Sequence, residues 1–164
     1  DNLHDELFKL MNVCGLRIFE DKHNVVSISL GEILDLISNK DEFNWAILFL
    51  DATENLRGNH PLASLEQQIK KSKNGFHITL DELYELFSKI DQIIDLDLIG
   101  SRNKNRLQRY ETDKEMYESC EIVIRMVDSS YWEIYFHDNI LLEKFEKRFT
   151  KTEWINMKAI EDLT

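Results

Sequence analysis

At 164 residues the chain has the length of one domain and can bury a core without disulfide staples. Its 43 % hydrophobic and 10 % aromatic content excludes a disordered chain, and no apolar run approaches the ~18 residues of a membrane span. Thirty-one acidic against twenty basic side chains leave a formal net charge of −11, the wrong sign for nucleic acid or an anionic membrane surface.

Residues 3–12 are expected to form a helix, with Leu3, Leu7, Leu10 and Met11 on one face and Gly15 near its end. This start is acidic and amphipathic, without the basic head and apolar stretch of a signal peptide, so a cytoplasmic protein is expected. Leu16–Glu20 and Val25–Ile28 then read as a short strand pair around Asp21-Lys22-His23-Asn24.

The clearest local signal follows. Ser29-Leu30-Gly31-Glu32 and Thr79-Leu80-Asp81-Glu82 each place a hydroxyl at a helix N-cap and a carboxylate three residues on, the pattern of a capping box. Residues 28–38 align without gaps on residues 78–88, and both precede strand-like runs, Trp45–Leu50 and Ile93–Ile99. Duplication of a helix–strand unit and chance similarity of two amphipathic helices both fit that match. Trp45–Leu50 is apolar without alternation, which predicts a central strand covered on both faces. A helix over 61–73 starts at Pro61 and ends at Asn74-Gly75, burying Leu62, Leu65 and Ile69.

Residues 100–120 lack periodicity. Arg102, Lys104, Arg106 and Arg109 form a basic island that could hold a phosphate, although pairing with the acidic stretch Glu111, Asp113, Glu115 and Glu118 is the better expectation. Glu121–Val127 and Tyr131–Phe136 make a hairpin whose register is set by its own pattern. A three-residue loop, Asp128-Ser129-Ser130, opposes Met126 to Trp132, Ile124 to Ile134 and Ile122 to Phe136 on one apolar face. The other face opposes Arg125 to Glu133, Val123 to Tyr135 and Val127 to Tyr131. A helix capped by Asp138 follows, with Leu141, Leu142, Phe145 and Phe149 inward, then a last strand at Trp154–Met157. The order of elements predicts one α+β domain over residues 1–164, with packed helices on a mixed or antiparallel sheet.

Catalytic signatures are scarce. His4, His23, His60, His77 and His137 have no metal-ligand spacing, no glycine-rich phosphate loop or nucleophile elbow occurs, and no cofactor is expected. Cys14 and Cys120 are expected to be reduced, buried thiols. Asp91, Asp95 and Asp97 are the best metal candidates, since neighbouring carboxylates can hold magnesium, but with no D-x-D-x-D-G loop to complete a site a solvated strand face is the better expectation.

Compact size, strong acidity and the lack of catalytic machinery resemble the bacterial immunity proteins of toxin–immunity systems of the contact-dependent inhibition type. The resemblance is compositional and carries no motif, so it transfers no site residue by residue. It implies one-to-one binding that occludes the active site of a basic toxin domain, such as a nuclease. The candidate contacts are Asp95, Asp97, Glu111, Asp113, Glu115, Glu118, Tyr131, Glu133 and Tyr135, carboxylates for Lys and Arg groups with Tyr anchors. Two alternatives remain open: a scaffold protein that self-associates through a sheet edge, and a small metal-dependent enzyme using Asp91, Asp95 and Asp97.

Overall fold

In the computed structural model, which describes residues 13–20, 28–54 and 61–156, seven strands form one sheet. They are β1 (Cys14–Phe19), β2 (Asn44–Glu54), β3 (Phe76–Ile78), β4 (Ile90–Ser101), β5 (Ile122–Val127), β6 (Tyr131–Phe136) and β7 (Thr152–Ile155). Their spatial order is β3-β2-β4-β5-β6-β1-β7, and every neighbouring pair is antiparallel. Among the described residues five α-helices accompany them: α1 (Leu30–Asp35), α2 (Pro61–Lys71), α3 (Leu80–Ser88), α4 (Asp113–Ser119) and α5 (Asn139–Arg148). The architecture is therefore α+β with an antiparallel sheet. The helix expected over 3–12 lies outside the described residues.

The β5–β6 hairpin adopts the register that its apolar alternation selects, with Met126 opposite Trp132, Ile124 opposite Ile134 and Ile122 opposite Phe136. A slip of one residue would turn this set towards water, and each such side chain contributes about 1.5–3 kcal/mol by its burial. β1 extends the same face by setting Leu16 against Ile134 and Ile18 against Trp132. That pairing corrects the expected local hairpin of Leu16–Glu20 with Val25–Ile28, whose residues 25–27 lie outside the described ones. Both edges of β1 are already taken, by β6 and β7. Completing a buried apolar face outweighs the short chain distance of a local partner.

The first face of the sheet carries the main core. Trp45, Ile47, Leu96, Leu98, Ile124 and Trp132 pack there against α1, α2, α3 and α5. Of the two expected capping boxes, the one at Thr79 is complete and the one at Ser29 shows its hydroxyl half. Ser29 accepts from the Glu32 amide, Thr79 and Glu82 close a complete capping box, and the Asp138 carboxylate accepts from the Ile140 amide. On the second face a smaller core of Ala46, Leu48, Ile99, Val123 and Tyr135 lies under α4 and the segment before it. β2 is thus covered on both faces, as its unbroken apolar run predicts. The sheet edges are short, three residues in β3 and four in β7.

The hairpin turn contains two residues in the left-handed region, Asp128 at φ 49° and Ser129 at φ 57°, and no glycine. A non-glycine residue there costs about 1–2 kcal/mol, whereas glycine gives up about 0.5–1 kcal/mol of chain entropy elsewhere. Ser129→Gly should therefore stabilise the protein by about 0.5–1 kcal/mol, read as a higher urea midpoint with an unchanged slope.

Candidate functional site

Five adjacent strands line up one charged side chain each on the second face. Asp97 (β4) stands opposite Arg125 (β5), Arg125 opposite Glu133 (β6), Glu133 opposite Arg17 (β1), and Arg17 opposite Glu153 (β7). The signs alternate across the sheet, so each inner member has an opposite charge on both sides. Arg125 Nε donates to Asp97 Oδ1 at 2.7 Å, and Arg17 Nη2 donates to Glu133 Oε2 at 2.8 Å.

A covering layer finishes this ladder. Arg125 Nη1 also donates to the Tyr117 hydroxyl at 2.6 Å and lies 3.4 Å from Asp113, both on α4. The Tyr135 hydroxyl donates to Glu133 Oε1 at 3.0 Å, and its ring stacks on Tyr117 with centroids 3.7 Å apart. Burial alone would weaken the charged form of Arg125, but Asp97, Tyr117 and Asp113 outweigh it and hold the guanidinium firmly protonated. Burial, with Tyr117 and Glu133 beside it, pushes the Tyr135 phenol far above its usual range. Gly15 lies under that ring, and a Cβ there would come within 2.9 Å of it. The row therefore needs glycine for a close approach, not for backbone freedom.

These contacts sort the nine expected contact residues. Glu133 and Tyr135 are only 5 % and 3 % exposed and belong to the inner layer. Asp97 is committed to Arg125, and Asp95 Oδ1 accepts from the Asp128 amide at 2.9 Å, pinning the hairpin turn to β4. Tyr131 is half-buried, with the Arg17 guanidinium 4.6 Å above its ring. Asp113, Glu115 and Glu118 are exposed on α4, where Glu118 pairs with Lys114, and Glu111 is exposed just before it. The candidates thus divide between a structural network and a solvent face, rather than forming one surface.

Two arginines of the basic island, Arg102 and Arg109, find partners other than the acidic stretch expected for them. Arg102 reaches Glu42 and Glu121. Arg109 donates to the carbonyls of Ile69 and Ser72 at the C-terminal end of α2 and to that of Leu48 in β2. Leu48 sits at a bulge in the β2–β4 pairing, so its carbonyl is open to this outside donor. A cation at a helix C-terminus also suits the helix dipole.

Sequence reasoning missed a grouping that only the strand directions reveal. Glu20, Asp51, Asp91, Asp95 and Asp128 all fall at the end of the sheet that holds the hairpin turn, with Asp51 directly opposite Asp95. Lys89, just before β4, and Lys151, whose carbonyl accepts from the Phe19 amide, lie at this end as well. At the same end, on the first face, a cavity of about 320 Å³ opens between α1 and α3. Leu30 and Leu34, Leu83 and Phe87, and Met126 and Trp132 line it. Asp91, Asp95 and Asp97 do not converge, and among the described residues no group of three or more His, Cys, Asp and Glu is placed to hold a metal ion. No helix among the described residues is long and apolar enough to cross a membrane.

The fold and this site define an α+β antiparallel-sheet protein with an acidic end and a partly buried charge ladder. The chain belongs to the family described as "Protein of unknown function (DUF2691)", which matches residues 16–164. No curated protein and no solved structure matches it.

Two predictions test the geometry. Arg125→Met strands Asp97 and the Tyr117 hydroxyl and should cost about 2–4 kcal/mol in urea unfolding, the low side of a broken buried pair because Asp97 keeps some water. Adding Asp97→Asn to that variant should recover part of the loss. The second concerns Cys120, whose thiol burial pushes from its ordinary 9.0 up to about 12. A group whose folded value is raised stabilises fully below its unfolded value and loses that contribution above it. Stability should therefore fall as pH rises from 9.0 to about 12, and the fall should be shallower in Cys120→Ala.

Proposed function

We propose that the protein is a cytoplasmic binder of a basic partner, an immunity protein that masks the active site of a cationic toxin domain, most simply a nuclease, as a one-to-one complex. The observation that carries this reading is the gathering of Glu20, Asp51, Asp91, Asp95 and Asp128 at one end of a rigid sheet, in a chain of net charge −11. Carboxylates fixed on paired strands keep their spacing, so they can stand in for the phosphates that a nuclease grips. Opposite fields raise association rates towards ~10⁸ M⁻¹s⁻¹ at low salt, which suits a protein that must intercept a toxin before it acts. The covering helix α4 adds Asp113, Glu115 and Glu118 on its exposed side.

The alternative of edge-to-edge self-association has less support. The edge strands β3 and β7 have three and four residues, and along the part of β2 that β3 leaves uncovered the Leu48 carbonyl accepts from Arg109 and the Ala52 amide donates to Glu66.

The test is association with basic nuclease toxin domains encoded beside genes of this family, followed by stopped-flow at about 50 and about 500 mM salt. Binding should slow about tenfold or more over that range, and Asp51→Lys with Asp91→Lys should slow it similarly at low salt. Association that ignores both salt and these substitutions would remove the reading.

A further inference from the structure

The cavity between α1 and α3 has a chemistry of its own, and we propose that it binds a small amphiphilic amine, an aliphatic or arylalkyl chain ending in an ammonium group. This inference does not depend on the toxin reading. Its floor is Met126 and the indole of Trp132, which are almost fully buried, and its walls are leucines and Phe87 from the two helices. A volume of about 320 Å³ falls within the ~300–1,000 Å³ of small-molecule pockets, which are mostly apolar with a few polar groups that orient the ligand.

Two features keep this space from closing. The Tyr84 hydroxyl on α3 donates to Asp35 Oδ1 on α1 at 2.7 Å and fixes the separation of the helices. Gly31 presents no side chain, and a Cβ added there would meet only Ser29 Oγ at 3.7 Å and Tyr84 Cε1 at 3.8 Å, which is ordinary contact. The helices thus stand apart where a leucine could have filled the gap.

The sign of the ligand follows from the ionisable lining. Among the described residues, Glu20 and Asp91 line the cavity and no Lys or Arg does. An apolar chain in the cavity would set its polar end beside carboxylates, which rewards an ammonium and penalises a carboxylate of the same length. A neutral chain gains only the apolar contacts.

The experiment compares n-octylammonium with n-octanoate, both below their micelle concentrations, by titration calorimetry and by the fluorescence change of Trp132. Octylammonium should saturate one site about tenfold more tightly than octanoate. Gly31→Leu should abolish that binding while far-UV circular dichroism stays unchanged. Asp91→Asn, which does not disturb the walls, should bring the two affinities closer together. Equal binding of the two ions, or wild-type affinity in a folded Gly31→Leu protein, overturns the proposal. Those outcomes leave the salt dependence of toxin binding untouched, so the two readings fail separately.

Discussion

Arg125 is the side chain on which the second face of the sheet depends. It sits between Asp97 and Glu133 in register and reaches up to Tyr117 and Asp113. A half-buried guanidinium without partners would cost several kcal/mol, so its environment must supply oxygen acceptors in a fixed arrangement. The strands supply one, α4 supplies two more, and α4 in turn gains its place on the sheet. Tyr117 then stacks on Tyr135, and Tyr135 secures Glu133, which secures Arg17. One planar cation thereby links the irregular half of the chain to four strands.

The two faces divide the labour. The first is apolar and close-packed, and it supplies the stabilisation of burial. The second fixes geometry, since a two-residue slip of β6 against β5 would set Arg125 opposite a tyrosine and Glu133 opposite a valine, and would break the row of opposite charges. Asp51 opposite Asp95 breaks that alternation at the hairpin end. The like-charged pair lies where the ladder gives way to the acidic end, and Asp95 is steadied there by a backbone amide instead of a cation. Repulsive carboxylates held in place by the fold, rather than by counter-charges, are what a cationic ligand would relieve.

Much of the fold was legible because its signals are local. Ser29, Thr79 and Asp138 announce helix starts by satisfying amides within a few residues, and the apolar alternation of 122–136 contains its own register. The partner of β1 was not legible, because no local pattern tells residues 14–19 that their neighbours lie beyond residue 130. Helix α4 was missed although Thr112 and Glu115 mark its start, with the Thr112 hydroxyl accepting from the Glu115 amide. Seven residues are too few for helical periodicity to stand out. The roles of Arg109 and Asp95 were invisible for another reason. Their partners are backbone groups, an open carbonyl at a bulge and a turn amide, which no side-chain pattern encodes. The same holds for the acidic end, whose members come together only when strand directions are known.

The placement of β1 has a consequence for how the chain comes into being. This strand is flanked by residues 131–136 and 152–155, so both its neighbours follow it in the chain by more than a hundred residues. Leu16 and Ile18, fully enclosed in the finished protein, have no neighbouring strand to join until residues 131–136 have been made. The nearer-neighbour pairing of β2, β4 and β5 becomes possible before β1 has either of its partners. Such long-range closure slows folding and lengthens the time that an apolar strand waits uncovered, the interval in which a chaperone would matter most.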